Sequence, residues 1–270
     1  MAGPLTARAA GIIRQLVGAW PETPGINDLN RALRALSMWR SHVLAQTCVS
    51  QTGGEPVVVG GPFAGMKYIR LSTEGALIPR LLGSYESELH PHLQRIAQAG
   101  LDCVIDVGCA EGYYAVGLAR MLPGVMVHAH DISAEAQTVC RRLAELNGVA
   151  ERVRVGGKFE PTDFEAFAGR RTLVIVDAEG AETDILQPEL SPALAGMHVI
   201  VETHDIYRAG TLAELTRRFS PTHDIVRVDL GPKTDALPQW MAELGHLDQL
   251  LAVWEWRQGP TPWLVMTPKG

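Results

Sequence analysis

The sequence predicts an α/β fold: a Rossmann-like, doubly wound, mostly parallel sheet preceded by an N-terminal helical extension and a small hairpin. Three observations predict it. Apolar runs recur at 103–107, 125–129, 153–155, 173–176, 199–201, 225–228 and 263–266, and helical patterns separate the first five, the alternation that builds a parallel sheet with helices on both faces. The runs at 174–176 and 199–201 are wholly apolar, as strands buried on both faces are. A glycine-bearing turn follows the first run, and a carboxylate, Asp131, closes the second.

The elements can be taken in chain order. Residues 5–20 read as one helix, broken at 21–25. A second helix, capped by Asn27 or Asp28, carries Leu29, Leu33, Leu36, Val43 and Leu44 on a helical period. Strands at 57–59 and 66–71 flank a Gly- and Pro-containing turn and read as the hairpin. Residues 86–99 carry a helical pattern through Leu89, Leu93 and Ile96. The chain is divided into an extension, 1–83, serving as a lid or a homodimer interface, and a catalytic domain, 84–270.

Composition narrows the class. Of 270 residues, 46% are hydrophobic and 20% charged, as in a globular enzyme with a sizeable core. A net charge of −6 with no basic run argues against a nucleic-acid partner. No stretch is long and apolar enough to span a membrane, and Arg8, Arg14 and Gln15 break the N-terminal stretch as a signal sequence, so a cytoplasmic protein is expected. Cys48, Cys103, Cys109 and Cys140 form no C-x-x-C pair and read as reduced thiols.

The unit 104–131 reads as a nucleotide site. In the turn Asp106-Val-Gly108-Cys109-Ala110-Glu-Gly112, glycines let the backbone approach a ligand, and the helix that follows points its positive end at it. Asp131 is placed to accept from ribose hydroxyls. Ala110 stands where a dinucleotide fingerprint has its middle glycine. Asp106 would repel a pyrophosphate but suits an ammonium and a sulfonium, which favours S-adenosylmethionine over a nicotinamide cofactor.

The string IDVGCAEGYYAVGLAR, the acid at Asp131 and the run Asp177-Ala-Glu179-Gly180-Ala-Glu182 resemble class I methyltransferases, the FkbM-type family in particular. The resemblance covers about residues 84–205. It implies a seven-stranded sheet whose last strand inserts antiparallel. It also implies that Gly108 and Gly112 pack against the methionine part, that Asp131 holds the ribose, and that Ile132 and Phe159 flank the adenine. Tyr85 and Glu86 match a segment that closes over the cofactor in similar enzymes.

Two polar clusters fall at the carboxyl ends of neighbouring strands: Asp177, Glu179 and Glu182 after the fourth, and Glu202, His204 and Asp205 after the fifth. His204 is the expected base that takes a proton from an acceptor oxygen, with Asp177 second. A divalent metal on Asp177, Glu202 and His204, with Asp205 nearby, is the competing idea and is not the favoured one. The insertion 231–262, with Trp240, Met241, Trp254 and Trp256, is an expected substrate wall. The acceptor is expected to be a small molecule, a sugar or natural product. Other chemistry on the same cofactor, such as aminocarboxypropyl transfer or cyclisation, and a non-catalytic binding module stay open.

Overall fold

A computed structural model describes residues 4–23, 25–70, 72, 75–231, 233 and 237–269, with side chains from residue 10 onward. Seven strands form one sheet: β1 (Cys103–Val107), β2 (Met126–His130), β3 (Val153–Gly156), β4 (Thr172–Val176), β5 (His198–Glu202), β6 (His223–Val228) and β7 (Trp263–Pro268). Their order is β3-β2-β1-β4-β5-β7-β6, and only β7 runs antiparallel to its neighbours. Every strand expected from an apolar run is present, within a few residues at its ends.

The order in which strands are added reverses between the parallel strands β1 and β4, so a crevice opens at their carboxyl ends. Alternate residues of β1 feed opposite faces. Cys103, Ile105 and Val107 pack with Phe164, Leu215 and Phe219 on one side, and Val104 packs with Val127 and Leu118 on the other.

The helices are α1 (Pro4–Gly18), α2 (Ile26–Gln51), α3 (Leu77–Leu82), α4 (His90–Ala97), α5 (Tyr113–Met121), α6 (Ala134–Leu146), α7 (Glu182–Ile185), α8 (Thr211–Phe219), α9 (Gln239–Ala242) and α10 (His246–Ala252). Helix α2 starts one residue before Asn27, and Asp28 acts from inside the first turn, accepting from Gly25 N–H at 3.0 Å. Its stripe is divided: Val43 and Leu44 are buried, whereas Leu29 and Leu33 are exposed together with Ile13 and Val17 of α1. The helix expected at 86–99 begins later, as a 3-10 turn over Ser87–Leu89 followed by α4, because Glu86 is in the left-handed region. The expected hairpin contracts to a single antiparallel bridge, Val57 to Lys67, flanked by Val58 N–H donating to Met66 carbonyl and Gly65 N–H donating to Val58 carbonyl. Its expected last residue, Leu71, lies outside the described residues.

The extension and the sheet share one core. Leu44, Cys48, Val58, Phe63, Met66 and Ile78 pack in the same cluster as Val104, Leu118 and Val127, across the expected division at 83/84. Helix α2 is further pinned to α10 by a forked ion pair, Arg40 to Asp248 at 2.6–2.7 Å. All four cysteines are buried and free. No helix among the described residues is long and apolar enough to cross a membrane.

Candidate functional site

The glycine-bearing turn after β1 is built for close approach. Gly108 has φ +82°, and a Cβ there would collide with the carbonyl oxygen of Asp177 at the end of β4. Gly108 and Cys109 N–H groups both donate to His130 carbonyl at the end of β2. Ala110 adopts φ +47°, the conformation a glycine would take, and its N–H donates to Asp131 at 3.0 Å. The other Asp131 oxygen accepts from Ser133 N–H at 2.7 Å.

A cavity of about 650 Å³ opens above this turn. Gly108, Asp131, Ile132, Phe159 and Asp177 line it, together with His130 and Glu179. Ile132 is 85% exposed while Phe159 is buried against His130 with ring centres 4.8 Å apart. The cavity thus has a fixed aromatic wall and an open aliphatic one. Cys109 is buried and Gly112 faces α6, where a Cβ would meet Cys140 Sγ, so neither lines the cavity. Gly112 instead sets the close packing of α5 on α6.

Asp106 is 2% exposed, and its Oδ2 has no hydrogen-bond partner. Burial, then the nearby carboxylate of Asp177, raise its pKa to about 7 against a stabilising N–H from Ala115. A buried carboxylate left short of partners is a receptor for a cation.

A second cavity, about 200 Å³, adjoins the first. Asp177 and Glu179 belong to the walls of both. Its other walls include Tyr85, His204, Tyr207, Trp256 and Arg34, so the extension and the 231–262 insertion both contribute. A third cavity of about 430 Å³, bearing Trp254, continues from it past Glu255 and Arg257.

His204 is 3% exposed and stands at the floor of the second cavity. Its Nδ1 lies 2.6 Å from Oε1 of fully buried Glu182. Its Nε2 stands 3.7 Å from Asp177, 3.5 Å from Glu179 and 3.7 Å from Glu202. Tyr207 stacks on the ring, centres 5.6 Å apart. Burial disfavours the imidazolium, but the hydrogen bond to Glu182 and the carboxylates of Asp177 and Glu179 outweigh it and raise the His204 pKa. Asp205 stands apart from this group: it caps α8, accepting from Gly210 and Leu212 N–H at 2.9 and 3.0 Å.

Glu86 and Tyr85 are tied to other partners. One Glu86 oxygen accepts from Arg257 at 2.7 Å, and the other accepts from Tyr114 hydroxyl. Arg257 also holds Glu255 at 2.9 Å and Glu202, and Lys233 bridges Glu255 to Glu88 at 2.7 and 2.6 Å. Tyr85 lies under the Arg80 guanidinium, 4.3 Å from the ring centre, and lines the second cavity. Arg257, Glu255 and Arg80 carry no local sequence signal, since their partners lie up to 171 residues away. Arg257→Lys keeps the charge but cannot satisfy Glu86, Glu202 and Glu255 together. A loss of about 2 kcal/mol in denaturant unfolding is expected; an unchanged midpoint and slope would show that the network does not support the fold.

Four non-glycine residues among those described have a left-handed backbone: Glu86, Ala110, Glu179 and Trp256. All four lie at the junction of these cavities or in the loops that feed it. Concentrated backbone strain of this kind accompanies functional sites.

The chain matches no protein-family model. It is similar to the release factor glutamine methyltransferase of Chlorobaculum tepidum, 35% identical over 127 residues that make up 45% of this chain and 42% of that protein. It is also similar to the ribosomal protein L11 methyltransferase of Acinetobacter baylyi, 35% identical over 89 residues, 33% of this chain and 29% of that protein. The matched stretch therefore spans less than half the length of these curated relatives. Among solved structures, a human methyltransferase 10 domain containing protein gives a TM-score of 0.48 at 10% identity, over 85% of this chain and 97% of that one. A putative O-methyltransferase from Klebsiella pneumoniae gives 0.47 at 13% identity, over 99% and 100% of the two chains. At these scores no chemistry is transferred from either structure. The sheet order with its antiparallel β7 and the matched stretch make this chain one of Rossmann-like architecture that shares sequence with methyltransferases.

Proposed function

We propose that the protein is an S-adenosylmethionine-dependent methyltransferase, and that its acceptor is an oxygen of a small molecule. One observation carries the reading: a cavity over the glycine turn and a smaller cavity beside His204 share a wall made of Asp177 and Glu179. A donor and an acceptor seated in the two cavities meet at that wall. The stretch shared with two kinds of methyltransferase supports the reaction class.

The residues present fit the cofactor. Gly108 leaves room that a side chain would fill and Asp131 offers oxygens to the ribose, both at the cavity wall, whereas Asp106 lines none of the described cavities and offers its partnerless buried oxygen to the ammonium from behind that wall. Ile132 and Phe159 supply apolar walls for the adenine. When bound, the cofactor supplies an electrophilic methyl group on a sulfonium, which departs as a neutral thioether.

The chain's own task is then alignment and proton removal. Alignment of a nucleophile in a fixed cavity can supply several kcal/mol of the barrier reduction. Tyr85, Trp256 and Tyr207 give the acceptor cavity aromatic walls. The acceptor hydroxyl loses its proton at the His204 cluster, where Nε2 and the oxygens of Asp177, Glu179 and Glu202 converge.

The relatives named for glutamine and ribosomal-protein methylation favour a second reading, a protein side chain as acceptor. Mass spectrometry of acceptors labelled from isotopic S-adenosylmethionine in a cell extract separates the two: label on intact protein chains supports the second reading, and label on small molecules supports the first. Release of methylthioadenosine in place of S-adenosylhomocysteine would replace methyl transfer by aminocarboxypropyl chemistry.

The cofactor claim is tested by calorimetry with S-adenosylhomocysteine. Binding to the parent protein is expected, and its absence would sink the reading. Asp131→Ala is expected to weaken it about ten- to a hundredfold, the value of one charge-assisted hydrogen-bond set; an unaltered affinity would remove Asp131 from the cofactor site.

A further inference from the structure

We propose that Glu182 is the positioning residue of His204: it holds Nδ1–H, so that Nε2 faces the acceptor cavity and takes the acceptor's proton there. The source of that proton rests on the methyl-transfer reading; the pairing of Glu182 with His204 stands on geometry alone.

The imidazole has two sides. Its Nδ1 lies 2.6 Å from Oε1 of Glu182, which is fully buried and lines none of the described cavities. Its Nε2 stands 3.5–3.7 Å from Glu179, Asp177 and Glu202, and all three line the second cavity together with His204. Glu182 therefore meets only the protein side of the ring. It can act on an acceptor only through His204.

The turn after β4 explains why a carboxylate stands there. Glu179 and Gly180, at φ +49° and +102°, reverse the chain so that α7 opens on Glu182. The same Oε1 accepts from Gly180 N–H at 2.9 Å, so it serves as an acceptor and the proton shared with the ring belongs to Nδ1. A Cβ on Gly180 would meet Tyr207 Cβ at 3.2 Å, and Tyr207 stacks on the imidazole with the planes 17° apart. One short turn thus fixes the ring by its edge through Glu182 and by its face through Tyr207. An imidazole that abstracts protons gains two things from a carboxylate on its far nitrogen: a fixed tautomer and orientation, and stabilisation of the imidazolium that forms.

The groups that face His204 come from four directions. Glu182 belongs to α7, Asp177 and Glu179 follow β4, Glu202 ends β5, and Tyr207 follows β5. Arg257 of the insertion reaches Glu202. Burial disfavours the imidazolium, the Glu182 hydrogen bond leads the effects that oppose it, and the pKa rises above its ordinary value. The ring accepts a proton only when neutral, so methyl transfer increases with pH through that raised pKa. Loss of the Glu182 charge moves this limb to lower pH and, by weakening the base, lowers kcat above it. The acceptor proton passes to Nε2 as the oxygen lone pair forms the bond to the methyl carbon. The carbon–sulfur pair stays on sulfur, and the imidazolium then gives its proton to water.

The test is a ¹⁵N NMR titration of His204 in the full chain labelled with [¹⁵N]histidine, with His204→Gln assigning the signal. Above its pKa the parent ring is expected to carry its proton on Nδ1 and none on Nε2. Glu182→Gln is expected to lower the proton affinity of His204 about tenfold or more, the worth of one charge-assisted hydrogen bond. Glu179→Gln, at a half-exposed position, is expected to change it less than about fivefold. A parent ring protonated on Nε2 overturns the proposal even if no variant folds, and so does a Glu182→Gln titration that coincides with the parent's. Calorimetry with S-adenosylhomocysteine on the same samples separates the two readings. Cofactor binding with an unmoved titration removes the positioning role alone; a titration moved as expected, without cofactor binding, supports the pairing and removes methyl transfer alone.

Discussion

Asp106→Asn is expected to weaken S-adenosylhomocysteine binding about 10²–10³-fold and, at the same time, to raise thermal stability. The first effect follows from removing one member of a desolvated ion pair, which costs about 3–5 kcal/mol. The second follows from the burial of the carboxylate itself. Burial and Asp177 raise the Asp106 pKa to about 7 in the folded chain, whereas an unfolded chain ionises it near 4. Between these values the folded state binds the extra proton, so the parent loses stability as pH rises from about 4 to 7 and stays at that lower level above. Each pH unit of separation is worth about 1.4 kcal/mol, so the neutral amide gains up to about 4 kcal/mol over the parent at pH 8 and little at pH 4. The same proton governs ligand binding. The ammonium needs the ionised carboxylate, so parent affinity falls below pH 7, by up to tenfold per unit, and Asp106→Asn flattens that profile. Calorimetry and thermal unfolding at pH 4, 6 and 8 check all of this. A variant that binds as tightly as the parent would remove Asp106 from the cofactor site.

Gly108→Ala is expected to cost about 5 kcal/mol or more, enough to leave little folded protein. A left-handed backbone costs a residue with Cβ about 1–2 kcal/mol. The larger part is steric: the new carbon would collide with Asp177 carbonyl, and that backbone is fixed by Asp177 N–H donating to Val107 at 3.0 Å. Neither strand can yield without parting β1 from β4. Solubility and circular dichroism read the outcome, and a folded variant within 1 kcal/mol of the parent (about one-fifth of the expected loss) would show that the turn has slack. Gly169→Ala is the control. It too has a left-handed backbone, but a Cβ there meets nothing, so the conformational cost stands alone.

How much of this was legible depends on how far apart the partners lie. Strands β1, β4 and β5 announce themselves because a strand covered on both faces has no polar positions to confuse the pattern. Asp177 and His204 could be paired from sequence because the carboxyl ends of β4 and β5 must be neighbours once the sheet is parallel. The shift from helix to 3-10 turn at 87–89 was not legible, since it arises from the contact of Glu86 N–H with Glu255, 169 residues on. The same holds for Gly112, whose neighbour Cys140 belongs to the next helix. Glu182 stood in the polar cluster after the fourth strand with no assigned role, and it holds His204 because the short α7 points it back at β5. Trp256 belongs to the insertion expected as a substrate wall, and it lines the second cavity because α10 stops at Ala252.

The acid of the glycine turn, Glu111, lies fully buried against groups brought by the extension: Tyr68 hydroxyl at 2.7 Å, Ser72 hydroxyl at 3.1 Å and Arg80 at 3.4 Å. The 84–270 unit is therefore no cassette. Excising it at residue 84, or transplanting it behind a foreign leader, would take these three partners from a fully buried acid of the glycine turn. A chimaera that keeps its fold must carry the 68–80 segment with it, and the two stretches can drift in evolution only in step.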